Sequence, residues 1–197
     1  MAMKNYFEDY RKRLDNILDE VNTESLGEVA KIMIEAFKQG NTVYVCGNGG
    51  SAATASHMQA DFSFFVRYFT KFRPKVKALT DNGPIITAIG NDTSFHDIFV
   101  EQLKGNFVAG DVLILISASG NSENVVRAAK YVNEKGGTSI GFVGFEGGKL
   151  KEVSKVCLHT PNPKGDYGPI EDVHMIFNHV LVNYMCHNDE FLAIPEV

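Results

Sequence analysis

The chain's 197 residues suffice for one domain with a well-formed core, and 44% apolar with 22% charged residues is the make-up of an ordinary globular protein. A formal net charge of -5 argues against a nucleic-acid surface; the local basic patch of Arg67, Lys71, Arg73, Lys75 and Lys77 reads equally well as a solvated loop. Cys46, Cys157 and Cys186 are too few and too scattered for a disulfide framework or a thiolate metal cluster. The first twenty positions are charged throughout, and no apolar stretch approaches the roughly 20 residues that span a bilayer, so a reducing cytoplasm is expected.

Residues 3–39 carry a helical pattern in two pieces. The first has Tyr6, Tyr10, Leu14, Ile17 and Leu18 near helical spacing. Asn22-Thr23-Glu24-Ser25 breaks it and caps the second, which carries Leu26, Val29, Ile32, Met33, Ile34 and Phe37 and ends at Gly40. A long helical preamble of this kind suggests packing against a neighbouring subunit. Strands and helices then alternate. The expected strands are 42–46, 75–80, 111–116, 138–143 and 155–159, and the expected helices are 51–66, 95–104, 122–135, 147–152 and 170–187. The strands lack strict apolar/polar alternation, as in sheets covered on both faces, so the order predicts an α/β fold with a doubly wound five-stranded parallel sheet. No repeat, linker or second domain is visible.

Two glycine- and serine-rich turns stand out in this order. Gly47-Asn48-Gly49-Gly50-Ser51 follows the first strand, and Ser117-Ala118-Ser119-Gly120-Asn121-Ser122 follows the third. A strand that breaks at glycine and restarts as a helix leaves free N–H groups beyond the sheet edge, where helix dipole and hydroxyls hold an anion. One such turn also serves as an ordinary tight turn. Two together point to a phosphorylated ligand rich in hydroxyls, bound in a cleft at the strands' carboxyl ends.

Other residues carry chemistry. His57 and Asp61 sit at i and i+4 on the helix after the first turn, a spacing for a metal, a proton-transfer base or a plain surface pair. The loop Gly90-Asn91-Asp92-Thr93-Ser94 follows the apolar run 84–89; its Asp92 is either a cap for a helix beginning near Phe95 or an acceptor for sugar hydroxyls. The last helix follows the turn 163–169 and carries Glu171 and His179. Flanked by Val180 and Leu181, His179 also suits a core histidine. Glu171 and His179 lie eight residues apart, about 12 Å along a helix. They share a site only if both lean inward, or else serve different sites in an oligomer.

Four stretches, CGNGGSAATASHMQAD at 46–61, AIGND at 88–92, GDVLILISASGNSENVVRAAK at 110–130 and IEDVHMIFNHVL at 170–181, together resemble the sugar isomerase (SIS) domain and, more closely, its phosphoheptose isomerase branch. The resemblance covers nearly the whole chain. It implies a homotetramer with active sites at subunit interfaces and interconversion of sedoheptulose 7-phosphate with an aldose phosphate; the N-terminal helices are the segment expected to serve in oligomerisation. Phosphate binding then falls on Ser117, Ser119 and Ser122 with the backbone of Ala118 and Gly120. Sugar contacts fall on Asn48, Gly49, Ser51 and Asp92, with Glu171 also at the substrate. Asp61 and His179 take the catalytic places, and some members hold zinc at positions matching His57, Asp61, Glu171 and His179. Such chemistry moves a proton between adjacent carbons through an enediol, a task for a carboxylate and an imidazole, with a metal polarising the carbonyl.

The chain departs from that branch in four respects. Asp61 stands where glutamate is usual, one methylene shorter, and Glu171 stands where glutamine is usual. An acidic residue usual before the last helix gives way to Gly168-Pro169. The segment after Asp61 is longer and aromatic, with Phe62, Phe64, Phe65, Tyr68 and Phe69. Two readings of other classes share the fold: a non-catalytic regulator that binds the replication initiator, and a sugar-phosphate sensor without turnover. The initiator-binding relatives lose the late histidine, which this chain keeps.

Overall fold

In the computed structural model, which describes residues 2–193, five strands form one parallel sheet in the order β2-β1-β3-β4-β5. They are β1 (Thr42–Gly47), β2 (Lys75–Ala78), β3 (Val112–Ser117), β4 (Thr138–Val143) and β5 (Val156–His159), each within about two residues of its expected span. Every residue of the central strand β3 is buried, which is why its sequence shows no alternation. The strand order reverses between β1 and β3: β1 leads outward to β2, and β3 leads the other way to β4 and β5. A crevice opens at the carboxyl ends of neighbouring strands where the order reverses, and both serine-rich turns leave the sheet there.

The helices are α1 (Met3–Asp19), α2 (Thr23–Gln39), α3 (Gly50–Asp61), α4 (Arg67–Phe69), α5 (Gly83–Asp92), α6 (Val100–Lys104), α7 (Glu123–Glu134), α8 (Gly148–Val153) and α9 (Tyr167–Cys186). Over one sheet face, Met33 and Phe37 of α2, Met58 of α3, and Val173, Phe177 and Leu181 of α9 pack on Val43, Val45, Ile114 and Ile140. Over the other, Leu103 of α6, Val125 and Val132 of α7 and Leu150 of α8 pack on Tyr44, Leu113, Leu115 and Val143. Successive strand residues face opposite layers, so each strand feeds both cores. No helix among the described residues is long and apolar enough to cross a membrane.

The leading helices begin and end as their residues dictate. Asn22 accepts the Ser25 amide at 3.0 Å to start α2, and Gly40 ends it with φ of 74°. Within the chain α1 lies along α9: Tyr10 donates to Asp172 at 2.5 Å and Arg13 pairs with Asp166 at 2.5 Å. Burial, reinforced by the Asp172 carboxylate, pushes the Tyr10 phenol up to about 12.

Four stretches differ from expectation. Residues 83–92, expected as an apolar run and a loop, form α5, because the Asn82 side chain accepts the Ile85 amide at 3.1 Å and Pro84 sits in the first turn, where its missing N–H costs nothing. The helix expected over 95–104 is a 3₁₀ turn (Phe95–Asp97) followed by α6. Its cap is Ser94, which accepts the His96 amide at 3.0 Å, so Asp92 does not cap it. The helix expected to stop at 66 runs through a π turn (Phe62–Val66) into α4, and α9 starts at Tyr167 rather than 170. The π turn inserts a residue into the helical ladder and re-aims the side chains after it, which carries Phe65 and Phe69 toward the histidine cluster described below.

Candidate active site

The two turns meet in a cavity of about 250 Å³ lined by the loop 48–51, by residues 116–119, Ser122 and Tyr167, and by Glu171. Asn48 and Asn124 exchange two amide hydrogen bonds, each 3.0 Å, that clasp the first turn to the start of α7. The second turn is tied within itself. The Gly120 amide donates to Ser117 Oγ at 3.1 Å, the Asn121 amide to Ser119 Oγ at 3.3 Å, and the Ser117 and Ser122 hydroxyls lie 3.5 Å apart. Gly120 has φ of 63°, in the left-handed region, and a Cβ there would lie 1.9 Å from the Gly147 carbonyl oxygen. Its role in the turn is therefore conformational. The amides of Gly50 and Ser51, in the first turn of α3, and of Ser119, in the loop after β3, take no partner among the described residues. Helix starts, free amides and hydroxyls converging on one small hollow are the chemistry that suits an anion.

A second cavity, of about 480 Å³, is lined by His57, Asp61, Phe65, Phe69, His179, Val182, Asn183, Cys186 and His187. His57 Nε2 lies 3.1 Å from His179 Nε2 and 3.2 Å from Asp61 Oδ2. Asn178 Nδ2 donates to the same Asp61 oxygen at 2.7 Å. His179 is exposed to the cavity, so it is not a core histidine. That place belongs to His174, fully buried beside Phe142 and Phe177, whose imidazole burial pushes down to about 3 and keeps neutral. Donor atoms of His57, Asp61 and His179 all lie within 4.8 Å of one another. Ligand bonds of about 2.0–2.1 Å in a tetrahedral zinc site separate the donors by about 3.3 Å. Two imidazoles and one carboxylate at 3.1 and 3.2 Å fit that set and leave a fourth position open.

Helices α3 and α9 carry both cavities. They run side by side: the Glu171 carboxylate abuts Gly50, where an added Cβ would lie 2.3 Å from it, and further along the same two helices His57 faces His179. The first turn, the second turn and Glu171 thus share one cavity, and His57, Asp61 and His179 share the other. Glu171 lies with the serine turns, away from the histidines, its charge against the start of α3. Asp92 ends α5 in the open, accepts from Asn91 at 2.8 Å, and lines neither cavity. In the basic patch, Arg67, Lys71, Arg73 and Lys75 each donate to a backbone carbonyl.

The sequence signature of the SIS domain matches residues 5–144. The phosphoheptose isomerase of Clostridium acetobutylicum is 40% identical over 158 residues, 80% of this chain and 79% of the relative. The chain belongs to the phosphoheptose isomerase family of SIS-domain proteins. The family's member from Aneurinibacillus thermoaerophilus is 36% identical over 90% of each chain. The solved phosphoheptose isomerase of Neisseria gonorrhoeae matches with a TM-score of 0.81 at 31% identity, covering 91% of this chain and 94% of the other. That of Francisella tularensis matches at 0.80 and 26%, covering 93% and 97%.

Two residues of this phosphoheptose isomerase family member escape motif reading. Asn124, buried in the first turn of α7, clasps the two turns through Asn48, and nothing local marks it. Asn178 leaves a trace: it falls on the buried stripe of α9 with Ile170, Val173, His174, Phe177 and Leu181, where a polar residue needs a reason.

Proposed function

We propose that the protein is a phosphosugar isomerase that interconverts sedoheptulose 7-phosphate and D-glycero-D-manno-heptose 7-phosphate. The observation that carries this reading is the twin serine-rich turns at the switch point beside a histidine–carboxylate cluster. Ser117, Ser119 and Ser122, with the amides around them, hold the phosphate, and Asn48, Gly49, Ser51 and Glu171 meet the sugar hydroxyls. Asp61 takes a proton from one carbon and returns it to its neighbour, while His179 exchanges a proton with the oxygens of the enediol. His57, Asp61 and His179 are the residues that would hold zinc, which would polarise the substrate carbonyl. Retention of the clustered histidines and carboxylate speaks against a regulator or sensor without turnover.

We further propose that the working site is built from more than one copy in a homotetramer in the cytoplasm. Glu171 and His179, eight residues apart on α9, stand about 12 Å apart along its axis, so one chain presents its two cavities separately. Phe64, Phe65, Tyr68, Phe69, Val180 and Tyr184 expose a large apolar face beside them, the kind of surface that a neighbouring subunit covers, and Asp92 is exposed and free to reach another copy.

Incubation with sedoheptulose 7-phosphate in deuterated buffer, with and without zinc, followed by proton NMR, tests the isomerisation. An aldose signal and deuterium at the carbon beside the carbonyl are expected; absence of both ends this reading. Ser119→Ala removes one hydroxyl at the phosphate. A hydrogen bond to a charged group contributes about 1.5–3 kcal/mol, and phosphate binds alike in ground and transition states. KM for the sugar phosphate is therefore expected to rise at least roughly tenfold, with kcat changing much less. An unchanged KM would move the phosphate elsewhere.

A further inference from the structure

We infer that Asn178 is a positioning residue for the isomerisation: it clamps one oxygen of Asp61 so that the other is presented to the reacting carbons. The inference rests on the isomerase reading above. Asn178 is completely buried, and its Nδ2 donates to Asp61 Oδ2 at 2.7 Å. His57 Nε2 approaches the same oxygen at 3.2 Å. Asp61 Oδ1 takes no hydrogen bond among the described residues, and it is not among the buried polar atoms left without a partner. One carboxylate oxygen is held and the other remains available in the cavity shared with His179.

The other end of Asn178 distinguishes this role from a structural one. Its Oδ1 is buried with no partner. A buried amide with one end unsatisfied costs stability, and leucine of similar size would suit the stripe formed by Val173, Phe177 and Leu181 better. Asparagine at this place therefore acts through the one bond it makes, and that bond ends on Asp61. Proton transfer is sensitive to misplacement of the base by about 1 Å, and groups that orient acting residues are worth roughly 10–100-fold in activity. The neighbouring side chain on the helix, His179, points into the same cavity, so a single turn of α9 supplies the imidazole and sets the carboxylate.

The test compares Asn178→Leu and Asn178→Ala with the parent protein, alone and combined with Asp61→Asn. Asn178→Leu is expected to lower kcat roughly 10–100-fold, to leave KM within about twofold because the phosphate turns are untouched, and to melt no lower than the parent. In the Asp61→Asn background the same change should add no further loss, since its effect passes through that carboxylate. Should the leucine variant fail to fold, the alanine variant carries the same kinetic comparison. Crystal structures of parent and variant report the orientation of Asp61 independently of turnover: the carboxylate should turn away from its present position when Asn178 is gone. An unchanged kcat, an additive loss in the double variant, or an unmoved Asp61 would each overturn the assignment. A parent protein inactive on the heptose phosphate would instead count against the isomerase reading, with the crystallographic arm still deciding the role of Asn178.

Discussion

His179→Ala is expected to lower kcat by roughly 10²–10⁴-fold, the range spanned by a positioned acid–base group. The imidazole stands 3.1 Å from His57 and within reach of Asp61, in the cavity rather than in the core. Its removal therefore leaves no void beneath α9, and the anion cavity around Ser117 and Ser119 lies at the other end of that helix. Phosphate binding by calorimetry and the thermal midpoint should both match the parent. Steady-state kinetics on the heptose phosphate decide the matter, and full activity would remove His179 from the mechanism. Loss of activity accompanied by loss of phosphate binding would point instead to a global disturbance.

Gly120→Ala is expected to destabilise the fold by about 3 kcal/mol or more, lowering the thermal midpoint by roughly 6–12 °C for a chain of this size. Two costs coincide. Alanine at φ of 63° is strained, and its Cβ would lie 1.9 Å from the Gly147 oxygen and 2.7 Å from the Gly147 carbonyl carbon. Both obstacles are backbone, so no rotamer change relieves them. The turn is also fastened from below: the Leu150 amide donates to the Gly120 carbonyl at 2.8 Å, and the Gly144 amide to that of Ala118 at 3.0 Å. Relief of the clash by moving the loop before α8 would drag the serine hydroxyls with it, so phosphate affinity should fall together with stability. Calorimetric melting and phosphate titration measure the two effects. A variant with an unchanged melting midpoint would show that the loop yields freely.

The alternation of elements was legible because it rests on local signals. Val, Ile and Leu runs mark the strands, Asn22 and Gly40 bracket α2, and glycine after β1 and serine after β3 mark where strand becomes helix. The parallel order and the crevice between β1 and β3 follow from that alternation and from the hand of the crossovers. By sequence the α5 segment reads as a run and a loop, because Gly90-Asn91-Asp92 carries the residues of a turn. In the folded chain the Asn82 cap and Pro84 start a helix early enough to enclose them.

Spacing alone placed His57 and Asp61 on one helical face, and the i, i+4 rule suffices for that because both belong to one element. It is silent on which face of α9 turns inward. His174 and His179 sit among similar apolar neighbours, yet one is in the core and the other in the cavity, since the phase of the helix is set by how it packs against α3 and the sheet. The same packing sends Glu171 to the serine turns and His179 to His57, and brings Asn178 onto Asp61 from 117 residues away. A sequence written along one dimension determines periods, caps and turns, because these arise between residues a few positions apart. Contacts between helices depend on their relative rotation and on side chains far off in the chain, and only the folded tertiary structure sets them.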